Sequence, residues 1–419
     1  MMVPAAALRA IARIAAGVSM LLLAACAIKT PGTPTTAPAD LASTPPLTGP
    51  RWKSPDPVDP EAWQPRGFAV LDRDRRPLVL ERLPDGPDSE LWRPSGPLAT
   101  SAFAMIDESR IASIEPWIAV LELADDDSAR HPEVPPRRAV DGLLARPTSD
   151  ASRGLAIVLG SLARLNPPEQ WLVAEFLQRG WTVLVSSPPI CAPDDRTDGV
   201  ATLSPGLDPE AAGRTLAAEV DAGLGTWRDG LRDIVSRLIS RNDLPDGPTV
   251  IVGASSGALA APLVADTLRT VRTVDAVVLI AGGASPALIL ARTTLADADL
   301  RVDRRGPRVD DVDLPRFVAA FEAATRLQSP TAESDAAARL GGVPVLLMES
   351  GFDAAIPETA RARLRGLHPR AEHWWYPLGH YGLFVALSTE AGPLVDWLEA
   401  VLRDDSAIGP HRNASNVVP

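Results

Sequence analysis

The apolar run Val250-Ile251-Val252 ends in Gly253-Ala254-Ser255-Ser256-Gly257, and the small apolar stretch Ala258-Leu259-Ala260-Ala261 follows at once. A buried strand that passes directly into a helix through a glycine-flanked serine leaves few folds open. The first glycine lets the backbone bend sharply, and the second leaves room for the returning helix to lie close to the strand. A serine on such a strand-to-helix turn can serve as a nucleophile. Serines fall between glycines by chance in many chains, so the pentapeptide takes its meaning from its position and its downstream partners.

Strand and helix patterns alternate on both sides of this turn. Residues 155–159 form a continuous apolar run, as a strand covered on both faces does. A helix is expected over 170–178 and a strand over 181–185. Residues 214–239 carry Leu216, Val220, Leu224, Trp227, Leu231, Ile234, Val235 and Leu238 at helical spacing, with interior glycines that weaken the middle. Further strands are expected over 276–280, 343–348 and 373–376, and a closing helix over 395–402. This βαβ rhythm predicts an α/β domain over 139–403, a mostly parallel central sheet covered by helices on both faces. The stretch 285–341 is too long for a simple crossover. Its helical patterns over 288–296, 314–327 and 332–340 suit a cap over the active site, or a surface elaboration far from it.

Ahead of this domain, residues 62–138 hold short strand-like runs at 68–71, 77–80, 102–106 and 117–121, broken by proline, glycine and acidic clusters. They suit the opening strands of the main sheet or a small separate β-rich module. Residues 404–419 read as a frayed tail.

The N-terminus carries an address. Arg9 and Arg13 precede an apolar stretch at 18–25, and Leu23-Ala24-Ala25-Cys26 closes it. The stretch is too short for a bilayer span of about 20 residues and suits a signal peptide over 1–25, cut before a cysteine. The tetrapeptide resembles the lipobox of bacterial lipoproteins. That resemblance implies lipid attachment at Cys26, with membrane association through the lipid. An ordinary signal peptide that happens to contain a cysteine is the plainer alternative. Ala27 does not resemble the aspartate of the usual inner-membrane retention signal, so the outer membrane or cell surface is the expected location. Residues 26–61, dense in Pro, Thr and Ala, form a flexible tether that cannot build a core.

Composition narrows the chemistry. Of 2 cysteines, lipidation of Cys26 leaves only Cys191, so no internal disulfide is expected and Cys191 is either buried or reactive. With 5 scattered histidines and no cysteine cluster, no metal site is expected. A net charge of -12, from 41 basic and 53 acidic residues, offers no basic field for nucleic acid. Dinucleotide and phosphate-loop glycine patterns and an H-E-x-x-H pair are missing from the sequence, and no cofactor is expected. The oligomeric state is not legible. Tryptophans are expected in core and sheet packing, with one flanking the loop that follows 373–376.

The order of these features resembles the α/β-hydrolase fold, whose members place nucleophile, acid and histidine in that order along the chain. The resemblance implies Ser255 as nucleophile. It implies Asp353 as acid, in Gly351-Phe352-Asp353-Ala354-Ala355-Ile356-Pro357 just past a strand, with Glu349 as the competing carboxylate nearer the strand end. His380, in Gly379-His380-Tyr381-Gly382, matches the general base; His368 and His373 fit worse, and His131 and His411 lie outside the required region. The chemistry requires two aimed N–H groups for the developing oxyanion. One is expected from Ser256 and the other from Ser161, in Gly160-Ser161-Leu162. Here the chain departs from the family, having Leu159-Gly160 where His-Gly is common. The implied activity is hydrolysis of small-molecule or lipid esters, or of amides, by an extracytoplasmic lipid-anchored serine hydrolase. The rival is a catalytically silent relative that binds or scaffolds an envelope component.

Overall fold

The computed structural model describes residues 80–82, 89–94, 111–122, 137–148, 152–161, 167–188, 200–202, 208–293, 301–303 and 313–407. Cys26, Cys191, the signal peptide, the tether, residues 408–419 and the strand-like runs at 68–71 and 102–106 lie outside the described residues.

Leu155–Leu159 (β5) shows why the centre is buried on both faces. Leu155, Ile157 and Leu159 face one apolar cluster while Ala156 and Val158 face another. The same alternation holds along Thr182–Ser186 (β6), Thr249–Ala254 (β8), Ala276–Ile280 (β9) and Val345–Ser350 (β11), all wholly buried. Each fully buried Val, Ile or Leu here contributes about 1.5–3 kcal/mol. With Glu372–Tyr376 (β12) at the edge, these strands run parallel in the order β6-β5-β8-β9-β11-β12.

The other edge is antiparallel. Leu80–Arg82 (β1), Ser89–Pro94 (β2), Ile111–Glu122 (β3) and Arg137–Pro147 (β4) pair in sequence, and β4 pairs antiparallel with β6. The described strands from 62–138 therefore belong to the main sheet. From β3 onward, the order β3-β4-β6-β5-β8-β9-β11-β12, with only β4 reversed among its inner strands, is that of the α/β-hydrolase fold.

Pro167–Gln178 (α1) and His380–Ala407 (α8) cover one face. Pro209–Ser240 (α2) and Ser256–Leu268 (α3) cover the other. Asp208 caps α2 by accepting from Glu210 N–H, and Pro209 opens the helix. One of its glycines has a tertiary reason: a Cβ on Gly213 would stand 2.6 Å from the Phe317 carbonyl oxygen. The closing helix begins at His380 and runs to Ala407, longer at both ends than the apolar spacing over 395–402 predicts.

The insertion 285–341 contributes Pro286–Arg292 (α4), Asp313–Ala324 (α5) and Pro330–Arg339 (α6). Leu290 of α4 and Leu314, Phe317 and Phe321 of α5 share one core with α2 and α3. These described helices thus pack into the helical layer. Arg301–Asp303 (β10) pairs in parallel with Val200–Thr202 (β7), which belongs to the excursion after β6.

The chain leaves β5 for β6 on one side and then crosses to β8 on the other. The crevice at the carboxyl ends of β5 and β8 is thus a topological switch point, where open parallel sheets take their ligands.

Candidate active site

Ser255 follows β8 and immediately precedes α3. Its φ of 51° and ψ of -109° lie outside the regions ordinary residues favour. Such a conformation costs about 1–3 kcal/mol and persists only where surroundings over-determine it. The surroundings do so here. Ser255 N–H donates to Ile280 C=O at 2.8 Å. A Cβ on Gly253 would meet the Gly257 carbonyl oxygen at 2.3 Å, and one on Gly257 would meet the Leu159 carbonyl oxygen at 2.0 Å. Both glycines are thus dictated by close backbone approach.

Asp353 lies past β11, where Glu358–Leu367 (α7) begins a few residues on. Its Oδ1 accepts from the N–H groups of Ala355 at 2.9 Å and Ile356 at 2.8 Å. This fixes the carboxylate and leaves Oδ2 for His380 Nδ1 at 2.8 Å. A carboxylate only accepts, so Nδ1 carries the hydrogen and Nε2 is an acceptor. Ser255 Oγ stands 3.2 Å from Nε2. All three residues are buried, at 6%, 7% and 7% exposure for Ser255, Asp353 and His380. The structure therefore brings together the three residues the chain order picked out.

The loops bearing Asp353 and His380 are stapled to each other. Gly351 N–H donates to Tyr376 C=O at 2.7 Å and Phe352 N–H to Leu378 C=O at 2.9 Å. Ser350 Oγ–H also donates to Leu378 C=O. The Trp375 indole packs over Gly351, where a Cβ would come within 2.3 Å of the ring. Trp375 thus lies against the acid loop, while the sequence predicts a tryptophan beside the histidine loop.

Glu349 is turned away from His380. It accepts from Arg361 Nη1 at 3.0 Å and from Arg365 Nη1 at 2.6 and 2.8 Å, and faces His373 Nε2 at 3.1 Å. Arg361, itself buried, also donates to Ser350 C=O. Glu349 with Arg361 and Arg365 thus forms an ionic anchor beneath the acid loop. His368 caps the C-terminus of α7, where burial lowers its pKa below the ordinary histidine value.

Of the two expected oxyanion donors, Ser256 is the first residue of α3, at the positive end of the helix dipole. Ser161 departs from expectation. Its N–H donates to Glu169 Oε1 at 2.8 Å, and Glu169 is wholly buried. The preceding Gly160 N–H donates to Ser186 C=O at 3.0 Å. Glu169 is a residue sequence reasoning missed. A single acid in the first turn of α1 reads as ordinary helix-dipole compensation.

No protein-family model and no curated protein matches the chain. Solved structures resemble it at low identity. The esterase domain of a Rhodothermus marinus protein is 16% identical, covering 67% of this chain and 97% of its own, with a TM-score of 0.35. A putative dienelactone hydrolase from Klebsiella pneumoniae is 17% identical over 64% and 93%, at 0.38. A thermostable esterase from Pseudomonas putida is 15% identical over 73% and 85%, at 0.39. At such TM-scores these likenesses have no bearing on the chemistry of this chain, and the fold rests on the strand order above.

A second buried acidic group lies beyond the end of β9. Ser285 N–H donates to Glu333 Oε1 at 2.6 Å and its Oγ–H to Glu322 Oε1 at 2.6 Å. Arg363 reaches both carboxylates, at 2.8 and 2.6 Å. Burial pushes the Glu333 carboxyl up to about 7 despite the Ser285 hydrogen bond and Arg363. Among the described residues, no group of three or more His, Cys, Asp or Glu side chains could hold a metal ion.

Proposed function

We propose that this chain is a serine hydrolase that cleaves carboxylic esters, or amides, through an acyl-enzyme. The observation that carries the reading is the unbroken contact from Ser255 Oγ to His380 Nε2, and from His380 Nδ1 to Asp353, at 3.2 and 2.8 Å. A serine hydroxyl is a weak nucleophile until a neighbouring base takes its proton. As Oγ bonds to the carbonyl carbon, its proton passes to Nε2 and negative charge collects on the carbonyl oxygen. Asp353 stabilises the imidazolium across Nδ1. Nε2 then returns the proton to the leaving oxygen or nitrogen. Water repeats the sequence on the acyl-enzyme, giving acid and free Ser255.

Phe352 and Tyr381, 71% and 62% exposed, adjoin Asp353 and His380 in the chain. They offer apolar surface next to the triad and favour substrates with an apolar group. In this reading, lipid on Cys26 holds the enzyme at the outer membrane or cell surface, with residues 26–61 as tether. Incorporation of an alkyne-tagged palmitate into the chain, lost in Cys26→Ala, is the expected result.

A second reading, a catalytically silent envelope protein, draws on the engagement of Ser161 N–H by Glu169. Fluorophosphonate labelling of the full chain in detergent decides between the two. Labelling that vanishes in Ser255→Ala supports the hydrolase. A folded wild-type chain that stays unlabelled supports the silent protein.

A further inference from the structure

The Ser161 turn lies against the nucleophile turn. The Leu159 and Gly160 carbonyl oxygens stand 2.0 and 3.0 Å from where a Cβ of Gly257 would be, and Ser256 Oγ–H reaches Gly160 C=O at 3.5 Å. This is where the second oxyanion donor belongs, and a carboxylate oxygen already sits on it. An amide carries one hydrogen, and Ser161 N–H gives it to Glu169 Oε1 at 2.8 Å.

Glu169, in the first turn of α1, accepts from Ser161 N–H outside its own helix while wholly buried.

We propose that Glu169 is a positioning residue that holds the Ser161 amide in a closed state, so that the oxyanion hole is complete only once the carboxylate has left that amide. The proposal rests on the hydrolase reading above. Loss of one oxyanion donor slows comparable enzymes about 100- to 1,000-fold, so even partial release is measurable.

The test is the rate of phosphonylation by a fluorophosphonate, in which the Ser255 Oγ–P bond forms and fluoride leaves. Absence of labelling in the wild-type chain overturns the hydrolase reading, and this proposal with it. Given labelling, Glu169→Met, which keeps the side-chain length and removes the acceptor, is expected to react about tenfold faster, with kcat on a short-chain ester rising and KM unchanged, while Glu169→Met combined with Ser255→Ala stays unlabelled. A folded Glu169→Met chain that reacts at the wild-type rate or more slowly overturns the proposal and leaves the hydrolase reading intact. A crystal structure of the phosphonylated wild-type chain gives an answer even if that variant does not fold. Ser161 N–H on the phosphonyl oxygen, with Glu169 withdrawn, supports the proposal. Glu169 still on Ser161 N–H, with the phosphonyl oxygen elsewhere, overturns it.

Discussion

The loop after β11 and the turn after β5 each set a buried carboxylate against backbone N–H groups, with opposite consequences. Asp353 uses one oxygen on Ala355 and Ile356 and presents the other to His380. Glu169 spends an oxygen on the amide that the chain order assigns to the oxyanion. The acid side is also held redundantly, by loop-to-loop hydrogen bonds and the ion cluster of Glu349, Arg361 and Arg365. The same contact that aims a reactive group in one place withholds one in the other. Which occurs depends on the partner the carboxylate finds.

The largest test of this contrast is on the acid side. Asp353→Asn is expected to lower kcat about 10,000-fold, because an amide there favours the wrong imidazole tautomer. Glu349→Gln should leave kcat within a few-fold of wild type. Steady-state ester kinetics check both, and equal losses would break the distinction between reactive acid and anchor.

Arg361→Met probes the anchor itself. It leaves the buried Glu349 with fewer partners and Ser350 C=O without this donor, at a cost of about 3–5 kcal/mol. Denaturant unfolding should show that loss.

Glu333 serves as a control, a buried carboxylate on a backbone N–H away from the reaction. Its folded-state pKa lies above the ordinary 4.5, so the folded chain holds the extra proton. Stability from this group therefore falls as pH rises from about 4.5 to about 7. Glu333→Gln removes that slope. The variant should exceed wild type by on the order of 3 kcal/mol at pH 8 and converge with it near pH 4.5, with kcat unchanged. Thermal unfolding across pH would show it, and a change in kcat would put Glu333 on the reaction path.

The smallest effect is expected beneath the β5 turn. Trp227 Nε1–H donates to Ser186 Oγ at 2.9 Å, and Ser186 C=O accepts from Gly160 N–H. Trp227→Phe should cost about 1–2 kcal/mol in unfolding measurements.

Much of the fold was legible because its strands are local apolar runs, and their burial on both faces is written in composition. The helix over 209–240 was legible from Leu216 to Leu238 for the same reason. The start of the last helix at His380 was not, since His380-Tyr381-Gly382 reads as a loop until Leu383, Phe384 and Leu387 are seen packed in the core. Nor were the roles of the helices over 285–341, because an apolar face at helical spacing says that something is covered without saying what.

The sequence by itself determined the order of strands and turns and, through it, Ser255, Asp353 and His380 as the reactive candidates. Ser255 and Asp353 follow buried strands and His380 follows the edge strand, and each placement is local. The tertiary structure set Asp353 on His380 and Glu349 on Arg361 and Arg365, joined the described strands of 62–138 to the main sheet, and gave the Ser161 amide to Glu169. Those outcomes depend on which donors and acceptors meet across the fold. A buried carboxylate satisfies whichever N–H or cation the packing brings to it, and spacing along the chain does not encode that choice.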